Sequence, residues 1–124
     1  MAEERQRTKY VPSFEHPCDD FEITATDGTV YYPHVGEWVR FRADLPWRLM
    51  RLDPEMPNLE YAEAVIGILN RQVLDWSWTG DDGLPLPRPG DDPVGFLDAL
   101  WDMGVEERGY LRARCWESAN LGEA

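Results

Sequence analysis

The stretch Phe21-Glu22-Ile23-Thr24-Ala25-Thr26-Asp27-Gly28-Thr29-Val30-Tyr31-Tyr32 alternates apolar and polar side chains on both sides of an Asp-Gly pair. Alternation with period two and enrichment in Ile, Val, Thr and Tyr predict strands on each side. Asp27-Gly28 supplies the turn between them, because both central positions of a two-residue connection favour positive φ. Pro33 ends or edges the return strand, since it has no N–H to give to a ladder. Gly36 permits a bend, and Glu37-Trp38-Val39-Arg40-Phe41-Arg42 resumes strand character with Val39 and Phe41 expected to face inward. The N-terminal half therefore predicts a small antiparallel sheet of two or three strands.

Upstream, residues 1–20 read as an extended arm. Tyr10-Val11-Pro12-Ser13-Phe14 is its apolar patch, and Pro12 and Pro17 oppose a helix. The arm is expected to be poorly ordered or to lie across the body. Downstream, Asp44 to Pro57 is a connector in which Pro46 to Leu52 has room for one or two helical turns. The clearest helix spans about 58–75, with Asn58 as N-cap, Glu60 and Glu63 early, and Leu59, Ala62, Val65, Ile66, Leu69, Val73 and Trp76 at three- and four-residue steps. Residues 76–93 read as a loop dense in Gly and Pro. Long loops of this kind are often functional. Asp92-Pro93 opens a helix to about 103 with Phe96, Leu97, Leu100, Trp101 and Met103 as its stripe, and Gly104 stops it. A last helix over about 105–120 carries Val105, Tyr110, Leu111, Cys115 and Trp116, and Asn120-Leu121-Gly122 reads as its cap. The fold class is α+β: an arm at 1–20, then one domain over 21–124 with a β-hairpin region at 21–42 and about three helices over 58–120.

Length and charge narrow the function. At 124 residues and 43% hydrophobic content the chain makes one domain with a core. It has 24 Asp+Glu against 12 Lys+Arg, a net charge of −12. That balance disfavours nucleic acid, which is held by releasing counterions from phosphates, and anionic membrane surfaces. The opening Met1 to Arg7 is charged with no apolar segment behind it, so no export signal is expected. Cys18 and Cys115 fit no metal or redox spacing and read as free thiols.

No constellation for catalysis stands out, and no enzyme is expected. His16, Cys18, Asp19 and Asp20 cluster around Pro17, but zinc needs four convergent ligands. The Asp81-Asp82-Gly83 and Asp91-Asp92 pairs lack the ligand spacing of a calcium loop. Neither His16 nor His34 lies in a nucleophile motif. Pro85-x-Pro87-x-Pro89 reads as a stiff connector. The six tryptophans carry more signal. Trp38, Trp76 and Trp101 suit a core, whereas Trp78, in the loop, and Trp116, among charges, suit contact anchors. With the helices' apolar faces added, the candidate partner-binding set is Trp76, Trp78, Leu97, Trp101, Tyr110 and Trp116.

Asp75-Trp76-Ser77-Trp78-Thr79-Gly80-Asp81-Asp82-Gly83-Leu84-Pro85-Leu86-Pro87-Arg88-Pro89 resembles the Trp-x-hydrophobic-Thr-(Asp)-Asp-x-Gly-x-Pro-hydrophobic-Pro segment of tail assembly chaperones of long-tailed, siphovirus-like phages. Asp27 to Pro33 with Gly36 to Val39 is similar to the hairpin opening of such proteins, and the similar parts cover most of residues 21–117. Gly80 stands where an acidic residue is common, and the hairpin opening differs from all-helical members. The resemblance implies a protein of the host cytoplasm that holds the tape-measure protein during tail assembly and leaves before the virion is mature. It implies no cofactor, and contact with the tail-tube protein and self-association are compatible with it. A very long helical client with apolar stripes calls for an aromatic-bearing helical surface, and strong net charge keeps the complex soluble. The alternative is a structural virion subunit, a small tail or head–tail connector protein, joined through strand addition by the arm or hairpin. An acidic mimic of DNA fits less well, because the acids are spread and eleven arginines dilute them.

Overall fold

A computed structural model describes residues 10–46 and 55–121 of the chain. The helical turns expected within 46–52 and the cap at Gly122 fall at least partly outside the described residues. The order of elements is β1 (Ser13–Pro17), β2 (Ile23–Thr24), β3 (Val30–Tyr31), β4 (Trp38–Arg42), α1 (Asn58–Gln72), β5 (Val73–Trp76), α2 (Pro93–Asp102) and α3 (Val105–Leu121). Among the described residues the architecture is α+β, with a small antiparallel sheet, a two-stranded hairpin and three helices, and the two predicted helices after residue 92 form almost where expected.

The central sheet has the order β1-β4-β5, antiparallel throughout. Its middle strand follows the alternation of its sequence: Val39 and Phe41 are fully buried while Trp38, Arg40 and Arg42 are half-exposed. β1 is a correction to the expected arm. Ser13 to Pro17 pairs residue for residue with Arg42 to Trp38, and the backbone of Pro12 extends the pairing by accepting from the Ala43 N–H. Its sequence has no clean apolar alternation, so the strand follows from the free ladder groups of β4 rather than from its own pattern. Pro12 and Pro17 flank or end it, where a missing donor is tolerated.

The predicted hairpin is present but short, two residues on each side, as a sheet of its own. Its turn differs from the expectation. The Gly28 N–H donates to the Ala25 carbonyl, the Ala25 N–H to Thr29, and Gly28 alone has positive φ, at 89°. That is a three-residue loop closed by a glycine in the left-handed region, which leaves Asp27 at ordinary φ. The Asp27 carboxylate instead accepts from the Thr29 N–H at 2.9 Å.

Helix α1 corrects two further expectations. Pro57 is the N-cap and no side chain caps the helix, so Asn58 is already helical. The fixed φ of proline starts the helix one residue early. At the other end the helix stops at Gln72, and β5 begins at once. Val73 and Trp76 recur at helical spacing with α1, yet they pair with Phe41 and Val39 of β4, with a register shift at Arg40/Phe41. Burying both on the sheet overrides the helical pattern. Gln72, fully buried, secures the junction by donating to the backbone carbonyl of Asp44 at 3.1 Å. Leu59, expected on the apolar stripe, is exposed; Ile68 joins the core instead. Helix α1 packs on β5, α2 and α3, and α3 also packs on β4. The core between them holds Phe41, Ile66, Leu69, Trp76, Trp78, Phe96, Leu100 and Leu111.

Candidate partner-binding surface

The Trp-rich segment is ordered by its own backbone chemistry. Trp76 and Trp78 are two residues apart on extended chain, so both side chains fall on one face. Their rings stack with centroids 5.4 Å apart and planes at 8°. Between them, Ser77 points the other way: its N–H donates to the Trp38 carbonyl, and its hydroxyl accepts from the Trp38 N–H at 2.8 Å. Both indoles are fully buried. Trp76 donates through Nε1 to the Pro87 carbonyl at 2.9 Å and meets Phe96 edge-on. Trp78 donates through Nε1 to the Cys18 sulfur at 3.3 Å. The proline-rich run is thereby folded back on the core. The Leu86 N–H donates to the Trp78 carbonyl, and Arg88 forms a two-pronged pair with Asp75 at 2.8 and 2.9 Å. Trp76 and Trp78, expected among the partner contacts, are corrected to core residues whose rings do not reach the surface. The i, i+2 spacing was the available signal, masked by the loop reading of 76–93.

Beside Trp78 lies the buried ring of His34. Its Nδ1 is 2.6 Å from Glu37 Oε1, and its Nε2 is 2.8 Å from Glu107 Oε2 in the first turn of α3. Thr79 completes the group, its hydroxyl donating to Glu37 Oε2 at 2.6 Å. Burial pulls the His34 pKa down, but the hydrogen bonds to Glu107 and Glu37 outweigh it and hold the pKa above the ordinary value of 6.5. The arrangement suits an imidazolium donating from both nitrogens. Such a ring has no lone pair with which to take a proton from a nucleophile, and it ties the segment after the hairpin to α3. Its sequence signal was invisible, because Glu107 lies 73 residues from His34.

The cluster at Pro17 splits: His16 Nε2 lies 3.8 Å from Asp20 Oδ1, while Asp19 and Cys18 turn to other partners. Tyr110 donates to Asp20 at 2.6 Å and lies 3.2 Å from His16 Nε2, Asp19 accepts from the Gly36 N–H, and Cys18 faces Trp78. The Tyr110 bond holds the Asp20 pKa below its ordinary value, while burial and then the same bond push Tyr110 up. Among the described residues no group of three or more His, Cys, Asp or Glu is placed to hold a metal ion. Tyr110 is half-buried in this polar cluster, and Trp116 is half-buried with the Arg112 guanidinium 5.2 Å from its ring centroid. Tyr110 meets the candidate Trp78, with ring centroids 6.4 Å apart, on the buried side of that ring rather than on an exposed face.

Leu97 and Trp101 do lie together. Helix α2 begins with the expected N-cap: Asp92 accepts from the Gly95 N–H at 3.0 Å, with Pro93 at the first position. A Cβ on Gly95 would sit 2.3 Å from the capping carboxylate and 3.1 Å from Pro87, so the cap and the proline run need glycine there. Phe96 and Leu100 face the core. At 100° per residue, Val94, Leu97 and Trp101 share an arc of about 60° on the outer side. Leu97 is half-buried, Trp101 is 41% exposed and Val94 72%. Val105, 75% exposed, follows at the start of α3. Val94 and Val105 were missed by the sequence reading, although Val94 precedes Trp101 by seven residues, two helical turns. The other flank of α2 lines a cleft of about 810 Å³, to which Asp98 and Asp102 contribute together with Thr79, Asp81 and Glu107.

No family model matches this chain, and neither the curated proteins nor the solved structures contain a match to it.

Proposed function

We propose that this chain is a non-catalytic binding protein that keeps a helical client in solution, and specifically a tail assembly chaperone for the tape-measure protein of a long-tailed phage. The observation that supports it most is the outer face of α2, where Val94 and Trp101 are exposed over half-buried Leu97 on a chain of net charge −12. Exposed apolar side chains aligned on one helix face mark a surface for another helix. The charge keeps such a surface from driving aggregation. No helix among the described residues is long and apolar enough to cross a membrane. On this reading the protein works in the host cytoplasm, needs no cofactor and is absent from the mature virion. The test is co-expression with the tape-measure gene of the same genome. The soluble fraction of that protein rises on co-expression if the reading is right, and an unchanged fraction refutes it.

One observation favours the second reading, a structural virion subunit. β1 is an edge strand, and Tyr10, Val11 and Phe14 at or beside it are exposed. Such an edge can accept a strand from a neighbouring subunit. Mass spectrometry of purified particles separates the readings: stoichiometric presence supports the subunit, absence the chaperone.

A further inference from the structure

We infer that the outer face of α2 docks one amphipathic helix whose apolar stripe is bordered by lysines or arginines, with the basic side chains reaching Asp98 and Asp102. The inference rests on the reading of this chain as a binder of a helical client, and adds where the client sits and which charge it carries. Two observations on the same helix support it. Val94, Leu97 and Trp101 share one apolar arc of the helix, and exposed Val105 opens the helix that follows. Asp98 and Asp102 follow on the next arc and line the cleft, as does Asp81. Among the described residues neither Asp98 nor Asp102 takes part in an ion pair. Arg108 reaches the end of the same helix but donates to the carbonyls of Leu100, Trp101 and Met103. Among the described residues Asp98 and Asp102 therefore border the apolar strip without a paired cation, the pattern that selects a partner of opposite charge. A second copy of the chain is the poorer occupant. A two-fold contact through this face would set Asp98 and Asp102 against the same carboxylates of the other copy, in a chain already at −12.

The test uses the full chain and three labelled synthetic peptides of about 18 residues, five helical turns. The first has a leucine stripe bordered by lysines, the second the same stripe bordered by glutamates, and the third the lysine composition with the stripe scrambled. Binding is read by fluorescence anisotropy. The lysine-bordered helix binds at least about tenfold more tightly than either other peptide, a difference that shrinks as salt is raised. Trp101→Ala weakens it by about thirtyfold, as expected for a central aromatic anchor. Val94→Asp, at an exposed first-turn position where a carboxylate suits the helix, weakens it about tenfold with the fold retained. Asp98→Asn with Asp102→Asn removes most of the preference for lysine over glutamate borders. Equal binding of the lysine-bordered and scrambled peptides overturns the inference, as does binding insensitive to both Trp101→Ala and Val94→Asp. A dimer that Trp101→Ala dissociates also overturns it, in favour of self-docking. The outcome is separable from that of the functional reading. If co-expression leaves the tape-measure protein insoluble but the lysine-bordered peptide binds as described, the docking face stands and the phage reading falls. If the tape-measure protein is solubilised equally by wild type and Val94→Asp, the phage reading stands and this face is wrong.

Discussion

His34 lies flat on Trp78, with ring centroids 3.7 Å apart and planes at 11°. The contact puts a ring held between two carboxylates against an indole that is itself stacked on Trp76. Three parts of the chain far apart in sequence meet there: the segment after the hairpin, the Trp-rich loop and the first turn of α3. The contact thus fixes where α3 starts and, through the short link at Met103 and Gly104, where α2 ends. The surface assigned to the partner rests on this internal stack, although none of the stacked rings reaches it.

The His34 group predicts a pH dependence with a definite sign. Its pKa is raised in the folded chain, where the bonds to Glu107 and Glu37 outweigh burial. The stabilisation is complete below the unfolded value of about 6.5 and is lost as pH rises through the higher folded value. His16 acts oppositely: burial lowers its pKa against the pull of Asp20, so its contribution is present above about 6.5 and lost as pH falls. The two are separated by comparing wild type with His34→Gln in urea unfolding across pH. The gap in unfolding free energy is largest below pH 6.5, on the order of 2–4 kcal/mol for a buried, doubly bonded cation, and narrows above it. A gap that widens with rising pH contradicts the assignment.

Trp78 is predicted to matter for stability. Trp78→Ala removes a fully buried ring and four ring contacts, those with Trp76, His34, Phe21 and Tyr110. The expected loss is about 3–5 kcal/mol. Trp78→Phe keeps a ring on His34 and loses the bond to Cys18, so it costs less. Thermal or denaturant unfolding measures both, and a loss within about 0.5 kcal/mol for Trp78→Ala, typical of surface sites, would be incompatible with a core role.

Gly95→Ala tests the join between the proline run and α2. Helix propensity alone makes alanine better than glycine there by about 1 kcal/mol. The crowding by Asp92 and Pro87 reverses the sign, giving a net loss of about 1–2 kcal/mol from a displaced cap and overpacking. A stabilised variant in denaturant unfolding would show that the join is looser than described.

Both cysteines are free and fully buried. Burial pushes the Cys115 thiol up to about 12 and raises Cys18, with the Trp78 bond opposing in the latter. A water-soluble disulfide reagent at pH 8 is therefore expected to leave both thiols of the native chain largely unreacted and to titrate two per chain in denaturant. Fast reaction of either in the native chain would place it at the surface.

What the sequence revealed was what is local. Asp92-Pro93 specified the start of α2, and the alternation of Val39 and Phe41 specified the inner face of β4, because caps and period-two patterns act over a few residues. β1 and β5 were hidden because each becomes a strand only by pairing with β4, and the sequence of β5 fits the helical period as well. Trp78 was misplaced for a related reason: a loop composition suggested exposure, while His34, Phe21 and Tyr110, all distant in sequence, pack against its ring. Leu97 and Trp101 were legible as a helix stripe. Asp98 and Asp102 were not, since the cleft they line is completed by Thr79 and Asp81 from a distant part of the chain.

Hydrogen–deuterium exchange of the chain with and without its helical client tests the central claim most directly. The account predicts new protection across residues 93–105, which carry Val94, Leu97, Trp101 and Val105, with little change at β1 or in the hairpin. Protection confined to residues 13–17 or 30–35, with 93–105 unchanged, would contradict it.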